Sequence, residues 1–518
     1  LTAIRDAAQP NDRFLELGYP GGDALIQSVS DGVRTVQYGY AANGDLTSVI
    51  DVMGRTTTYA YVAHLLTRIT DPLGQVVEDT AYETPYLASS RALSQTLQDG
   101  RQLQFTYLAA STVITMTGVD GRQEVEEIMY TPRNTMSDIV FNGKTRQETA
   151  HNDNFCPSVI ADGNGHATTV VFNNEGRPEQ ISNALGETTQ VAYNDQNLPT
   201  VITDTLRRRS ELAYDADNNL IRQTTSITNS FPGFTTLYTY TATWLSEQQG
   251  PDGVVTRYER NAQGQVLTTT LGAGTSDAQV TIFGYDALGR MVTTTVGVGT
   301  ALQRADVTRY NADDSVAERI QNYQDGGFDP RQPDTDIVTR YGYDALGRQI
   351  WVRDVLGRYD VTHYATDGRV DWTARNLTGY NGGTSLPAQP PAFDPAAPDA
   401  NVATFYGYDG LGRTSLVTQT GILTGTFDPG LRRFSAATER VTRTEYDDQS
   451  RPITVTLNYQ PSVPAGPDVN VQTLTQYDLA GNVTGQRDAL GRWSVTAYDA
   501  LNRPITVTLN YENGDPLT

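Results

Sequence analysis

An aromatic ring recurs along this chain, most often at a step of 21 residues, as in Tyr40, Tyr61 and Tyr82 and again in Tyr130, His151, Phe172, Tyr193 and Tyr214. In register with these, the series takes in Tyr107 and continues through Tyr240, Tyr258, Tyr285, Tyr310, Tyr343, Tyr364, Tyr408, Tyr446, Tyr477 and Tyr498. Longer steps read as repeats that carry loop insertions. A unit this short cannot bury a core alone. It must stack on its neighbours, so the repeat points to an array in place of a compact domain with a central cleft.

One unit shows what the repeat builds. In Thr188-Thr189-Gln190-Val191-Ala192-Tyr193, apolar residues alternate with small or polar ones, the period of a half-buried strand. Asn194-Asp195-Gln196-Asn197 then turns the chain, Leu198 to Thr203 makes a second strand, and Asp204-Thr205-Leu206-Arg207 turns it again. Two turns per unit leave strands of about six residues in an antiparallel meander. The fold class is therefore all-β: tandem hairpins coiling into a spiral, hollow shell or tube. A parallel β-helix fits less well, because each unit has two sharp turns. A propeller would need about 40–45 residues per blade and fewer units.

The best-formed turn is Asp-Ala-Leu-Gly-Arg, at Asp286 to Arg290, Asp344 to Arg348 and Asp488 to Arg492, with a close relative at Asp409 to Arg413. Aspartate opens such a turn because its carboxylate accepts backbone N–H groups, and glycine three residues on supplies a positive φ. The signature thus comprises Tyr285, Asp286, Gly289 and Arg290; Tyr343, Asp344, Gly347 and Arg348; Tyr408, Asp409, Gly412 and Arg413; and Tyr477, Asp478, Tyr498 and Asp499. These read as structural positions, since a catalytic aspartate would not need glycine at a fixed offset. Tyrosines two apart, as at Tyr38/Tyr40, Tyr59/Tyr61 and Tyr341/Tyr343, share a sheet face. Repeated across hairpins they are expected to form aromatic ladders. A sugar-stacking surface is the functional alternative.

Charge narrows the partners. The formal net charge is −22, which repels phosphate backbones and argues against nucleic acid. Lys144 is the only lysine among 38 basic residues. Many of the arginines follow a turn glycine, where a guanidinium can lie along a neighbouring tyrosine or pair with an aspartate. Cys156 is alone, so no internal disulfide framework is expected, and no apolar run reaches the roughly 18 residues of a membrane span. Leu1 is not an initiator methionine and no signal peptide precedes it, so the sequence reads as beginning after processing or within a longer chain.

The recurring pattern, as in Tyr341-Gly-Tyr-Asp-Ala-Leu-Gly-Arg348 and Tyr498-Asp-Ala-Leu-Asn-Arg503, resembles the RHS/YD-repeat family of bacterial RHS-like proteins, toxin-complex shells and teneurin-like shells. The resemblance covers residues from about Thr35 to the end. It implies a β-ribbon spiralling into a hollow wall, used either around a C-terminal toxin or in cell-surface adhesion. In toxin-bearing members it would also imply a C-terminal Asp-Pro-x-Gly core motif and an autoproteolytic junction. Asp71-Pro-Leu-Gly74 has those letters but lies early, in an ordinary repeat, and Asp515-Pro516 closes the sequence, so self-cleavage is assigned to no residue.

Residues 1–34 read as an incomplete leading repeat or cap, and 35–518 as a continuous array with loop insertions near 322–337, 378–402, 420–440 and 459–470. Some of these are copied: Arg451 to Tyr459 recurs identically at Arg503 to Tyr511, and Phe328 to Arg348 matches Phe393 to Arg413. His64, His151, His166 and His363 are scattered without metal-ligand spacing, and Cys156 has no histidine partner at a recognisable spacing. Tyr214-Asp-Ala-Asp-Asn-Asn219 hints at a calcium loop but lacks its glycine and closing glutamate. Asp313/Asp314 and Asp447/Asp448 sit in turns and suit acid/base work poorly. No cofactor, metal or catalytic residue is expected.

The leading function is a non-enzymatic scaffold in a bacterial extracellular or cell-surface assembly. A cage around a toxin or other protein cargo, and a glycan-binding surface protein, are the alternatives. The expected partners are the rest of a longer parent chain or identical subunits, with cargo or surface glycans besides.

Overall fold

The computed structural model describes residues 2–5, 14–19, 24–84, 87, 89–226, 233–428 and 433–511. Among them the chain forms 41 strands and no helix. Every strand pairs antiparallel with the next in sequence, so the ribbon is one continuous meander from Ala3–Arg5 to Pro504–Tyr511. Thr, Val, Tyr and Ile fill the strands while Asn, Asp and Gly fill the turns, as β propensity and turn chemistry require.

Strands that end in the repeat ring are bulged there, with the exception of Gln102–Tyr107, which keeps its register through Tyr107 and Thr112. Gly284 faces Thr293 but Tyr285 faces Met291, leaving Val292 as the extra residue. Such a bulge re-aims the side chain at the strand end. Turn position, and not the ring itself, sets this register. In the unit read as centred on Tyr258, the shift falls at Arg260, which faces Val266 and immediately precedes the Asn261–Gln265 turn. Arg260 therefore stands where other units have tyrosine, and Tyr258 lies two residues before it.

The two ends of the strands make two edges. The ring edge carries the turns that follow the ring residue, such as Asp286–Arg290, and the far edge carries the alternate connections, such as Asp51–Arg55. The insertions at 322–336, 376–401 and 458–470 all leave the far edge. Each is pinched shut at its base. Asn322 and Asp336, Asn376 and Asn401, and Asn458 and Asn470 all have positive φ, between 48° and 55°. In each pair the second residue's N–H donates to the first's carbonyl, at 3.0, 3.1 and 3.1 Å. Asn and Asp tolerate this backbone region best among non-glycine residues. Near 420–440 the chain instead extends two long strands, Thr414–Asp428 and Arg433–Tyr446, so that expected loop is mainly a lengthened hairpin.

Burial follows the insertions. Residues 376–401 fold back over the sheet face opposite the repeat tyrosines. Beneath them lie Trp372 (1% exposed), Val361, Ala374 and Ala403, and Leu377 of the insertion is buried against them. Trp351 Nε1 donates to Gly383 O at 2.9 Å and Trp372 Nε1 to Ala388 O at 3.3 Å. Trp351 and Tyr380 meet the Tyr359 ring edge-on, and His363 stacks on Trp372 at 5.1 Å. Gly342 permits this packing: a Cβ there would collide with the Trp351 indole on the facing strand.

Candidate functional site: the turn lattice and the seam between coils

The Asp286 turn explains the signature residue by residue. Asp286 Oδ1 accepts the N–H groups of Leu288 and Arg290, both at 3.0 Å. Gly289 takes φ 81° so that its N–H can reach Asp286 O at 3.0 Å. Asp286 Oδ2 accepts Arg290 Nε at 2.8 Å. Thus anchored, the guanidinium lies 4.9 Å over the ring of Tyr310, the next ring residue, and Arg290 Nη1 donates to Asn311 O at 2.8 Å. Tyr310 closes the cycle by donating its hydroxyl to Met291 O at 3.0 Å. Each unit is thereby stapled to the next.

The other signature positions repeat this. Asp344 and Asp409 accept Arg348 Nε and Arg413 Nε at 2.7 Å, across Gly347 and Gly412 at φ 79° and 82°. Arg348 and Arg413 cover Tyr364 and Tyr446 at 4.2 and 4.6 Å. The hydroxyls of Tyr285, Tyr343, Tyr408, Tyr477 and Tyr498 donate to Val266 O, Val316 O, Val370 O, Pro452 O and Val483 O, at 2.7–3.0 Å. Asp499 holds Arg503, whereas Asp478 holds Asn482 and, across the seam, Asn164. These residues are spread along one edge and converge on no cleft. Burial raises the hydroxyl pKa of Tyr343, Tyr408, Tyr446 and Tyr477.

The expected aromatic ladder is not what fills the space. Among the described residues the ring–ring contacts are those of Trp351, Tyr359, Tyr380, His363 and Trp372, and none joins repeat tyrosines of successive units. Those tyrosines are two strands apart, about 10 Å, beyond ring contact. Arginine bridges the gap, so tyrosine and guanidinium alternate. In the Arg260 unit the guanidinium replaces the phenol, Nε donating to Leu245 O at 3.3 Å. Arg260→Tyr is accordingly expected to leave the unfolding midpoint in urea within the small range of a neutral substitution, about 0.5 kcal/mol. A larger loss would show that the site requires a cation.

A second set of contacts joins residues about 260–340 apart in sequence. Val119 N–H donates to Gly410 O at 3.0 Å, and Arg101 Nη1 to Leu411 O at 3.1 Å. Arg34 reaches Asp314 at 2.8 Å, Arg55 reaches Asp313 at 3.0 Å, and Lys144 reaches Asp448 at 3.0 Å. Gln449 Nε2 donates to Phe141 O at 3.0 Å, and Asn502 Nδ2 to Asp162 Oδ2 at 2.9 Å. Glu124, 7% exposed, accepts Ser450 Oγ and lies 3.4 Å from Arg413. The far edge of the early units therefore sits on the ring edge of the late ones. In its ion pairs the early side gives mostly cations and the late side carboxylates.

The seam measures the coil. The Val119 and Gly410 turns, the Lys144 and Asp448 turns, and the Asn164 and Asp478 turns are each 23 strands apart. At about 4.8 Å per strand one coil is roughly 110 Å around, or about 35 Å across if round. Grooves of about 950, 530 and 370 Å³ open along the seam, the largest between Asp120, Arg122, Asp409 and Tyr446.

Asp313, Asp314 and Asp448, read from sequence as ordinary turn carboxylates, are seam ligands. The available signal was their departure from Asp-Ala-Leu-Gly-Arg: Asp448, Asp313 and Asp314 put an acid where Ala, Leu and Gly usually stand. Burial pushes Asp313 up, but hydrogen bonds from Ser315 and the Arg55 charge outweigh it and hold the carboxyl below its ordinary range. Asp286 and Asp447 are likewise lowered: burial raises them, and the backbone N–H and guanidinium of Arg290 and Arg451 prevail. Folded values below unfolded ones give stability that is present above about pH 4 and is lost as pH falls through the folded values. The thermal midpoint should therefore hold from pH 7 to about 5 and drop below about 4. A midpoint that already falls between pH 7 and 5 would contradict this.

Among the described residues no group of three His, Cys, Asp or Glu side chains could hold a metal ion. His151 stands at the ring position facing Pro157, and Asp215 accepts the N–H groups of Asp217 and Asn219 within its turn.

A spiralling hairpin ribbon whose coils stack turn on turn defines a repeat shell, a structural wall. The RHS Repeat family model matches residues 34–76, one stretch of the array. No curated protein matches the chain. The solved structure of a TcdB2–TccC3–Cdc42 assembly is similar with a TM-score of 0.62 at 12% identity, covering 99% of this chain and 29% of that one. The pore of the Photorhabdus luminescens Tc holotoxin carrying a TccC3 mutation gives 0.60 at 13% identity, covering 97% and 29%. At such identities the likeness is one of fold, and the chain spans less than a third of either neighbour.

Proposed function

We propose that the chain is a section of a non-enzymatic shell wall in a bacterial extracellular or cell-surface assembly, joined to the rest of a longer parent chain. The observation that carries this is the seam, which turns a ribbon into a closed wall. The signature tyrosines, aspartates, glycines and arginines are its ribs and staples, since each carboxylate is engaged by turn N–H groups and a guanidinium or amide. Electron microscopy of the native particle tests the reading: a hollow wall of stacked coils supports it, and a solid rod without a lumen rejects it.

A second reading, a cage around a protein cargo, is favoured by the size of the coil. A ring about 35 Å across, less side chains on its inner face, leaves room for an extended or partly folded polypeptide. The two neighbours, as a TcdB2–TccC3–Cdc42 assembly and a Tc holotoxin pore, are in keeping with this. Internal density, and a fragment resistant to protease until the wall is unfolded, would distinguish the cage from an empty scaffold.

A further inference from the structure

We infer that Asn164 is a one-way latch on the seam: with the coils closed the late coil holds its side-chain amide, and once they part it deamidates to a carboxylate that keeps them apart. The latch belongs to the wall proposed above and depends on the seam alone, whatever the wall encloses. Asn-Gly is the step most prone to this change, because glycine has no Cβ to hinder the approach of its nitrogen. Two such steps, Asn142-Gly143 and Asn164-Gly165, send their amides across the seam. Asn142 is half-buried, and its partner, Asp448 O, is a main-chain carbonyl. Asn164 is exposed to water and its partner is a carboxylate. Its Nδ2 donates to Asp478 Oδ2 at 3.0 Å, and its Oδ1 accepts the Ala480 N–H at 3.3 Å.

The chemistry needs only water. The Gly165 nitrogen attacks Asn164 Cγ, a ring C–N bond forms, and the bond to the amide nitrogen breaks. Ammonia leaves with the Gly165 proton, and water then opens the succinimide to aspartate or isoaspartate. Bonded at both ends to the late coil, the amide is not free to swing onto Gly165 until the seam opens. The product then reverses the contact. Elsewhere the seam pairs early cations with late acids, as at Arg34, Arg55 and Lys144. Around Asn164 it is built of amides and acids. Asn482 Nδ2 donates to the same Asp478 oxygen at 2.8 Å, and Asn502 Nδ2 to Asp162 at 2.9 Å. Burial raises Asp162, but the Asn502 amide and its own turn N–H groups prevail and hold it below its ordinary range, so it is charged at neutral pH. A carboxylate at 164 exchanges a donor for a like charge among these acids. The turn itself accepts an acid at this position, as Asp217 and Asp313 show.

Asn164→Asp is therefore expected to speed exchange of the Ala480 amide by about tenfold or more while Gln279–Tyr285 keep their protection. Adding Asp478→Asn puts a donor opposite the new carboxylate and should restore Ala480. Asparagine opens such turns elsewhere, at Asn183 and Asn194. The unaltered chain supplies its own control. Asn43-Gly44 stands at the same place in its turn, with Gly44 N–H on Ala41 O at 3.0 Å as Gly165 N–H is on Asp162 O at 2.9 Å. The Asn43 side chain bonds Asp45 of that turn and crosses no seam. In warm neutral buffer, peptide mass spectrometry should find Asn164 deamidating more slowly than Asn43, with the difference lost in urea. Ala480 still protected in Asn164→Asp, protection that Asp478→Asn fails to return, or equal rates at Asn164 and Asn43 in the folded chain would each overturn the latch.

Discussion

Valine at both Gly118 and Gly163 is expected to part the two coils along their seam, disturbing the ribbon itself only locally, where Gly163 meets Thr145 on its own coil. A Cβ at Gly118 would overlap the Gly410 carbonyl, and one at Gly163 would lie 2.5 Å from Leu479 O and 2.9 Å from Thr145 O. These are backbone atoms, which cannot rotate aside as a flexible side chain could. Neither glycine has a positive φ, so the effect is steric and not conformational. Overpacking of this kind costs about 1–3 kcal/mol per site. The two sites are four strands apart, about 19 Å, so their costs should add. Hydrogen exchange should show the Val119 and Ala480 amides losing protection. Amides between adjacent strands, such as those of Gln279–Tyr285, should keep theirs, because repeat units depend on sequence neighbours. Retained protection at Val119 would show that the coils do not rely on this approach.

The sequence discloses the ribbon but not the coil. Strand, turn and ring are local, and each is written in a few adjacent residues: Asp286 to Arg290 states its own turn through carboxylate, glycine and guanidinium. The partner of Arg290 across the hairpin, Tyr310, is legible once the repeat is aligned. The seam is not, because its partners lie about 300 residues apart and their pairing depends on how many strands complete a circle. That number follows from twist and coiling summed over the ribbon, which no single unit encodes. Hence Asp313, Asp314 and Asp448 look like turn residues until the coil brings Arg55, Arg34 and Lys144 to them. Tyr258 misleads for a related reason: a ring two positions early resembles the repeat ring, and only the Asn261 turn reveals Arg260 as its counterpart.

Replacing Trp372 by alanine should give the largest single-residue loss of stability, about 3–5 kcal/mol, because the indole is 1% exposed and its removal leaves a cavity. The ring is also the anchor for the insertion above it. It supports His363 by stacking and binds Ala388 O through Nε1. Its loss should therefore release residues 376–401 from the sheet face, exposing Trp351 and Tyr359. Trp372→Phe keeps a large ring but not the donor, and should cost much less, about 1 kcal/mol beyond the change in volume. The damage should remain regional, since units some strands away share no contacts with this cluster. Limited proteolysis within 379–398, with exchange of the Leu377 amide that donates to Tyr359 O at 2.7 Å, reads the release directly. Protection of Leu377 equal to that of the parent chain would show that the pinched base, Asn376 with Asn401, holds the insertion without the tryptophan beneath it.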